Sequence, residues 1–331
     1  MRIKQGIFAI GTLISLILLI VVFSQLDWAA FRVALSQLYW PLLLFTLLVV
    51  AVDVFLRALR WNLTAGLPLT WVGSFWQALN IGYLGNFIYP ARAGEVLRIV
   101  AIHHFSPLTL GHAVSSAVLD RLLDVFVLGL LALLVISLHG QQILGPSVVQ
   151  SLIGLMIGGA LSLGLVIYYS PRLYDWVASW SVPVLPWRTR LHHLLLQGLA
   201  GLQTIRQPSR LLLILSLTLL VFLFDFYAKY QIMLAFGWDL PFAAALTLVC
   251  FIFIGSSLPS APGYVGVYQV ACVLALGLYG VPKTEALAYS IVSQLLDFLL
   301  VCVQALAVIS LRGFSLAQAR QEADTEAELT Q

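Results

Sequence analysis

Charge is what this chain has least of. Only 9% of its 331 residues are Asp, Glu, Lys or Arg, against 61% that are hydrophobic. A soluble domain carries about 25% charged residues, because its surface must be solvated by water. The shortage excludes an ordinary soluble domain and points to a chain whose solvent is lipid. Cysteine is scarce too. Cys250, Cys272 and Cys302 each lie inside an apolar run, with no CxxC pair and no histidine at ligand spacing, so they read as buried membrane cysteines and not as a metal site. Walker A, glycine-rich dinucleotide and HExxH sequences do not occur, and no cofactor or metal is expected. His103-His104 and His192-His193 are adjacent pairs, which do not face one way on a helix, and read as interfacial residues. The net charge of +3 is ordinary and gives no reason to expect nucleic acid.

What remains is apolar runs. A helix needs about 20 apolar residues to cross a hydrocarbon core of roughly 30 Å. Six segments qualify, near 6–24, 39–59, 110–138, 148–169, 210–236 and 285–311. The first follows Arg2 and Lys4 as a signal peptide would. Its run from Ile7 to Phe23 is longer than a signal core of about 7–15 residues and no A-x-A site follows, so it reads as an uncleaved membrane helix. Two further stretches, 71–104 and 241–281, are interrupted at "YPARAG" and "LPSAPGYVG". Broken helices suit re-entrant hairpins that return to their starting side.

Basic residues set orientation, since short cytoplasmic loops carry an excess of Lys and Arg. Arg2, Lys4, Arg57, Arg60, four arginines within 171–209, Arg312 and Arg320 fall on one side; Arg32 and Lys283 fall on the other. The expected protein therefore sits in the cytoplasmic (inner) membrane with both termini inside. It is an all-α polytopic membrane protein, six spans plus two re-entrant hairpins, forming one integral membrane domain over 1–311. Residues 171–209, rich in Trp, Leu, Arg and His, suit a helix on the inner membrane surface, where lipid-biosynthesis enzymes could dock. Residues 312–331 are acidic and read as a disordered cytoplasmic tail. Asn62-Leu63-Thr64 matches a glycosylation sequon and is read as chance.

The broken stretches resemble each other. Pro90-Ala91-Arg92-Ala93-Gly94 aligns with Pro259-Ser260-Ala261-Pro262-Gly263, and "RLLD" from Arg121 to Asp124 aligns with "QLLD" from Gln294 to Asp297. The offsets are 169 and 173 residues. Three spans lie between the broken stretches, and an odd number gives the halves opposite topology. That is an inverted repeat, an architecture in which substrate sites lie at discontinuous helices near the midplane.

The few charges inside the apolar segments are candidates for function, because each costs roughly 2.5–3.5 kcal/mol at a helix centre. Asp53 with Arg57, and Asp225 with Lys229, are spaced i, i+4 and can pair on one helix face. Arg121 has Asp120 and Asp124 nearby but cannot face both. Asp297 has no opposite charge on its own helix and needs a partner from elsewhere. In "GNFIYPARAGEVLRIV", Arg92, Glu95 and Arg98 share one face if a helix begins at Pro90, and a helix N-terminus beside an arginine can hold an anion. A clasp between Arg92 and Glu95 that merely locks the tip is the alternative.

These residues carry a resemblance. "GNFIYPARAGEVLR", then "LDRLLD", then "LPSAPGYVGVYQ" resemble the flippase-like membrane domain of the lysylphosphatidylglycerol synthase family, over residues 40 to 311. The family pattern falls on Asn86, Pro90, Arg92, Gly94, Glu95 and Arg98, then on Asp120, Arg121 and Asp124, then on Pro259, Pro262, Gly263 and Gly266. Tyr264 stands where the family has glycine, and Gln269 where it has glutamate. The resemblance implies movement of polar-headed lipids between leaflets, with membrane lipids as partners. Asn86, Arg92, Glu95, Arg98, Asp120, Arg121, Asp124 and Asp297 are the expected substrate-binding residues, and Pro90, Gly94, Pro259, Pro262, Gly263 and Gly266 the expected structural tips. A glycosyl- or aminoacyl-lipid transferase and a scaffold for lipid biosynthesis are the alternatives; a non-enzyme is preferred. The lipid, direction, energy source and oligomeric state are left open.

Overall fold

The computed structural model describes residues 28–89, 93–139, 146–180, 186–203, 207–256 and 261–312. Among these residues all regular structure is helical. In chain order the helices are α1 Trp28–Ser36, α2 Trp40–Thr64, α3 Val72–Ile88, α4 Ala93–Phe105, α5 Leu110–His139, α6 Pro146–Ala178, α7 Pro186–Gln203, α8 Pro208–Ala235, α9 Phe242–Ser256, α10 Val267–Gly277 and α11 Lys283–Arg312. Single 3-10 turns lie at Leu69–Trp71 and Pro262–Tyr264. The first predicted span, the tip residues Pro90, Arg92 and Pro259, and the tail lie outside the described residues.

Three described helices are long and apolar enough to cross a membrane: Trp40–Thr64, Pro208–Ala235 and Lys283–Ser310. Their outward faces are apolar. Leu44, Leu48, Val52 and Phe55 follow each other at helical spacing along α2 and are all exposed. So are Leu295, Leu299, Val303 and Leu306 along α11. In water such stripes would drive aggregation; against hydrocarbon they cost nothing.

Both interrupted stretches divide into two helices, with the break where Pro and Gly interrupt the run. The pieces have 17 and 13 residues in the first case and 15 and 11 in the second. At 1.5 Å per residue these are about 25, 20, 22 and 16 Å long, short of the roughly 30 Å of a hydrocarbon core. Pro90 and Pro262 fall in the intervals between these helices, and proline is a poor helix-interior residue because it lacks an N–H and disfavours helical geometry in the residue before it.

The contacts divide the chain into two compact units. The first comprises the described parts of Met1–Asp53, Gly82–Val96 and Phe222–Ala307. Within it α9 packs on α10, and the Tyr39 N–H, just before α2, donates to Ala235 O at the end of α8 (3.0 Å). Trp238 stacks on Tyr289 at 5.6 Å and donates from its indole to Glu285. The second comprises the described parts of Val54–Ile81, Leu97–Val221 and Val308–Gln331. Here α7 packs against both α5 and α6, with small residues allowing the approach. A Cβ on Gly201 would stand 2.9 Å from Ser115 Oγ of α5. Leu119, Leu123, Ile167 and Ile214 form a buried apolar cluster, with Leu63, Leu202 and Leu215 against it.

Two readings are corrected here. The fourth predicted span, 148–169, does not end before Pro171: α6 continues through that proline to Ala178, so the polar segment 171–209 begins as an extension of the helix. Arg60, expected at the end of the second span, lies a turn inside α2, which runs on to Thr64, and is fully buried. Asn62 of the sequon is also buried. Its amide donates to Leu67 O and Pro68 O, capping the end of α2.

A buried charge cluster and two helix breaks

The second unit holds the largest gathering of buried charge among the described residues. Arg60 comes from α2, Arg98 from α4, and Asp120, Arg121 and Asp124 from α5. Spacings of one, three and four place the α5 residues within one turn and a half. The Arg60 guanidinium donates from Nε to Asp120 Oδ1 at 3.0 Å and from Nη1 to Asp124 Oδ1. Its Nη2 lies 2.8 Å from Asp120 Oδ1. Arg98 Nη1 stands 3.5 Å from Asp120 Oδ2, and Arg121 Nη1 donates to Asp124 Oδ2 at 3.1 Å. Every oxygen of the two carboxylates therefore faces an arginine. Arg57, one turn back on α2, adds to the positive field at Asp124.

Burial separates these groups. Arg60, Arg98, Asp120 and Asp124 are all nearly closed to solvent, whereas the Arg121 side chain is 31% exposed. Trp61 supports the cluster from below. Its ring lies 4.8 Å beneath the Arg98 guanidinium, packs edge-on against Phe75, and its Nε1–H donates to Ser116. Three guanidinium groups thus gather around two carboxylates. The structure thus unites the predicted residues Arg98, Asp120, Arg121 and Asp124. It adds Arg60, which sequence reasoning had set aside as a topology signal.

The first unit holds a second ion pair. Lys229 Nζ of α8 donates to Asp297 Oδ2 of α11 at 2.7 Å and to Ser293 Oγ at 3.1 Å. Asp297 thereby finds the partner it lacked on its own helix. The lysine bonds across to α11, and Asp225, one turn back on α8, adds its negative charge. The pair repeats the pattern of the first. Arg60 and Lys229 are 169 residues apart and Asp124 and Asp297 are 173 apart, the same offsets as the tip and "LLD" matches. In each half, a cation on the helix before the broken stretch meets an aspartate on the helix after it.

The tips also meet within the first unit. Asn86 and Phe87 stand at the end of α3; Gly94 and Glu95 lie in the first turn of α4. Gly94 packs directly on that last turn of α3. A Cβ there would overlap Gly82 O and stand 2.5 Å from Asn86 Oδ1. Asn86 is buried, and its Oδ1 accepts no hydrogen bond among the described residues. Glu95 is half-buried. Phe87 reaches the other tip. It lies 5.1 Å from the Phe298 ring, and a Cβ on Gly263 would come within 3.1 Å of it.

The second tip is held by amides. Gln269 Oε1 accepts from the Gly266 N–H at 2.7 Å, Gln269 Nε2 donates to Gln294 Oε1 at 2.6 Å, and Gln294 Nε2 donates to Gly263 O. Gly263 and Gly266 take positive φ of 67° and 88°, which glycine adopts without cost. Tyr264 is left-handed as well, at φ 59°, at the position where the family pattern has glycine. Pro262 opens the 3-10 turn that carries these residues. Among the described residues no three His, Cys, Asp or Glu side chains gather as metal ligands would.

No curated protein and no solved structure matches this chain. The family described as "Lysylphosphatidylglycerol synthase TM region" matches residues 8–304. With nearly the whole chain covered, and with long helices whose outer faces are apolar, this is an integral membrane protein belonging to the lysylphosphatidylglycerol synthase transmembrane region family.

Proposed function

We propose that this membrane domain moves a polar-headed phospholipid, or a lipid-linked intermediate, from one leaflet to the other. The observation that carries the reading is the gathering of Arg60, Arg98 and Arg121 around Asp120 and Asp124, with the Arg121 side chain 31% exposed. In a low-dielectric interior a guanidinium attracts an anion strongly, and its planar fork binds two phosphate oxygens at once. A lipid headgroup is the phosphate that a membrane interior meets. Arg121 is the member of the cluster open to the outside and receives it first. Glu95, in the first turn of α4, and Arg92, which precedes that helix in the sequence, meet the headgroup.

Both carboxylates of the cluster are engaged in ion pairs with arginines, which supports a binding role over a transferase. In this reading the broken stretches are re-entrant hairpins of an inverted repeat, which the duplicated cation–aspartate pairs and the short helix lengths support. Both termini and residues 171–209 face the cytoplasm, where the latter offer a surface to lipid-biosynthesis enzymes.

The test is a flip rate in reconstituted vesicles with a tail-labelled phosphatidylglycerol. Arg92→Lys and Arg121→Lys keep the charge and lose the fork, so both slow movement; Arg92→Ala slows it further. Glu95→Gln shifts preference among cationic and anionic headgroups. A wild-type rate in Arg92→Ala and Arg121→Ala alike, at matched expression, would show that these charges only clasp the helices.

A further inference from the structure

The duplicated ion pairs are not equivalent. Asp124 is fully buried and held by two arginines. Asp297 keeps 29% of its side chain exposed while its partner Lys229 keeps 6%. Asp297 is thus partly open at the protein surface, while Asp124 is enclosed. The accessible one is also wired to a tip. Lys229 Nζ donates to Ser293 Oγ, Ser293 shares a 2.8 Å hydrogen bond with the Tyr268 hydroxyl, and Tyr268 is the second residue of α10, beginning directly after Gly266. The Tyr289 hydroxyl donates to Lys229 O, which anchors the lysine's backbone to α11.

We propose that the Lys229–Asp297 pair is a proton-binding site that couples proton entry to movement of the second tip, and so drives lipid transfer. The proposal rests on the lipid-moving reading above for its output, but not for the proton site itself. The step balances simply: one proton adds to the Asp297 carboxylate, giving a neutral acid, and Lys229 remains an ammonium. That leaves a buried cation without its counter-charge. The other groups acting on it are Asp225 on α8, Tyr268 and Cys272 on α10, and Tyr289 on α11. Of these only Asp225 is a carboxylate. The ammonium turns from α11 toward Asp225, its bond to Ser293 is lost, and Tyr268 is released together with the tip. A neutral amide chain, Gln269 to Gln294, holds that tip in the meantime and does not itself titrate.

Two readouts test this. The first is infrared difference spectroscopy of the reconstituted protein on acidification. A carboxylic-acid carbonyl band present in the wild type and absent in Asp297→Asn supports the site; the same band in both overturns it. The second uses vesicles of phosphatidylethanolamine and phosphatidylglycerol, with a trace of tail-labelled phosphatidylglycerol and a quencher confined to the outer leaflet. A pH gradient of one unit is a tenfold ratio of proton activity. It should shift the leaflet ratio of the probe by up to about tenfold with the wild type. Asp297→Asn should give no shift, and so should Lys229→Gln combined with Asp297→Asn, which removes both charges and leaves no orphan should the single variant fold poorly. A gradient response retained in the double variant overturns the coupling. If the wild type moves no probe under any gradient, the lipid-moving reading falls, while the infrared result still decides the proton site.

Discussion

Arg60 and Asp120 stand sixty positions apart in the chain and 2.8 Å apart in the fold. Both are buried, and Asp124 closes on the same guanidinium. Removing one member of a buried ion pair strands the other, at a cost of about 3–5 kcal/mol. Arg60→Leu, which leaves Asp120 with Arg98 alone and Asp124 with Arg121 alone at close range, should therefore lower the thermal midpoint in detergent and reduce yield. Arg60→Lys keeps the charge but reaches only one carboxylate, and should fall between. An unchanged midpoint in Arg60→Leu would mean that Arg98 and Arg121 neutralise both aspartates without it.

The second tip depends on Gln269. Replacing it by alanine leaves the Gly266 N–H and Gln294 Oε1 without their partners. Each lost link costs about 1 kcal/mol, more where the orphaned group stays buried. Gln269→Ala should destabilise by about 2 kcal/mol or more and open residues 262–266 to proteolysis. Equal protease resistance in variant and wild type would assign the hold to other contacts.

At Gly94 the prediction concerns volume. A methyl group there meets the carbonyl of Gly82, which is helix backbone and cannot swing aside. Overpacking of this kind costs about 1–3 kcal/mol. Gly94→Ala should lower stability and spread the ends of α3 and α4, whereas Gly73→Ala, with open space around its Cβ, should be neutral. Similar melting of the two variants would contradict the close packing.

Orientation follows from a labelling experiment. With the natural cysteines replaced, Arg190→Cys should resist a membrane-impermeant thiol reagent in intact cells. Gln142→Cys should react. The opposite result would invert the topology and remove the argument that residues 171–209 meet cytoplasmic enzymes.

Much of this protein is legible along the chain. A lipid solvent imposes composition directly: α2, α8 and α11 announce themselves because every exposed position must be apolar and every backbone group must bond within its own helix. The breaks near Pro90 and Pro262 are legible for the same local reason, since proline and glycine act on their own backbone and no distant contact can restore a missing N–H. Gly94 packs closely on α3, and Gly263 and Gly266 take positive φ, both properties of residues without a Cβ.

Which charges meet was a different matter. Along one helix the i, i+4 rule made Asp225 the natural partner of Lys229, but the lysine crosses to Asp297 on α11. Arg60 looked like a cation at a helix end until α5 brought two carboxylates against it. Charge pairing in a low dielectric is decided by three-dimensional proximity and burial, which depend on how separate helices pack. Short local motifs carry no such information. The repeat offsets of 169 and 173 residues were visible in advance; that they join Arg60 to Lys229 and Asp124 to Asp297 emerged only when the helices were placed side by side.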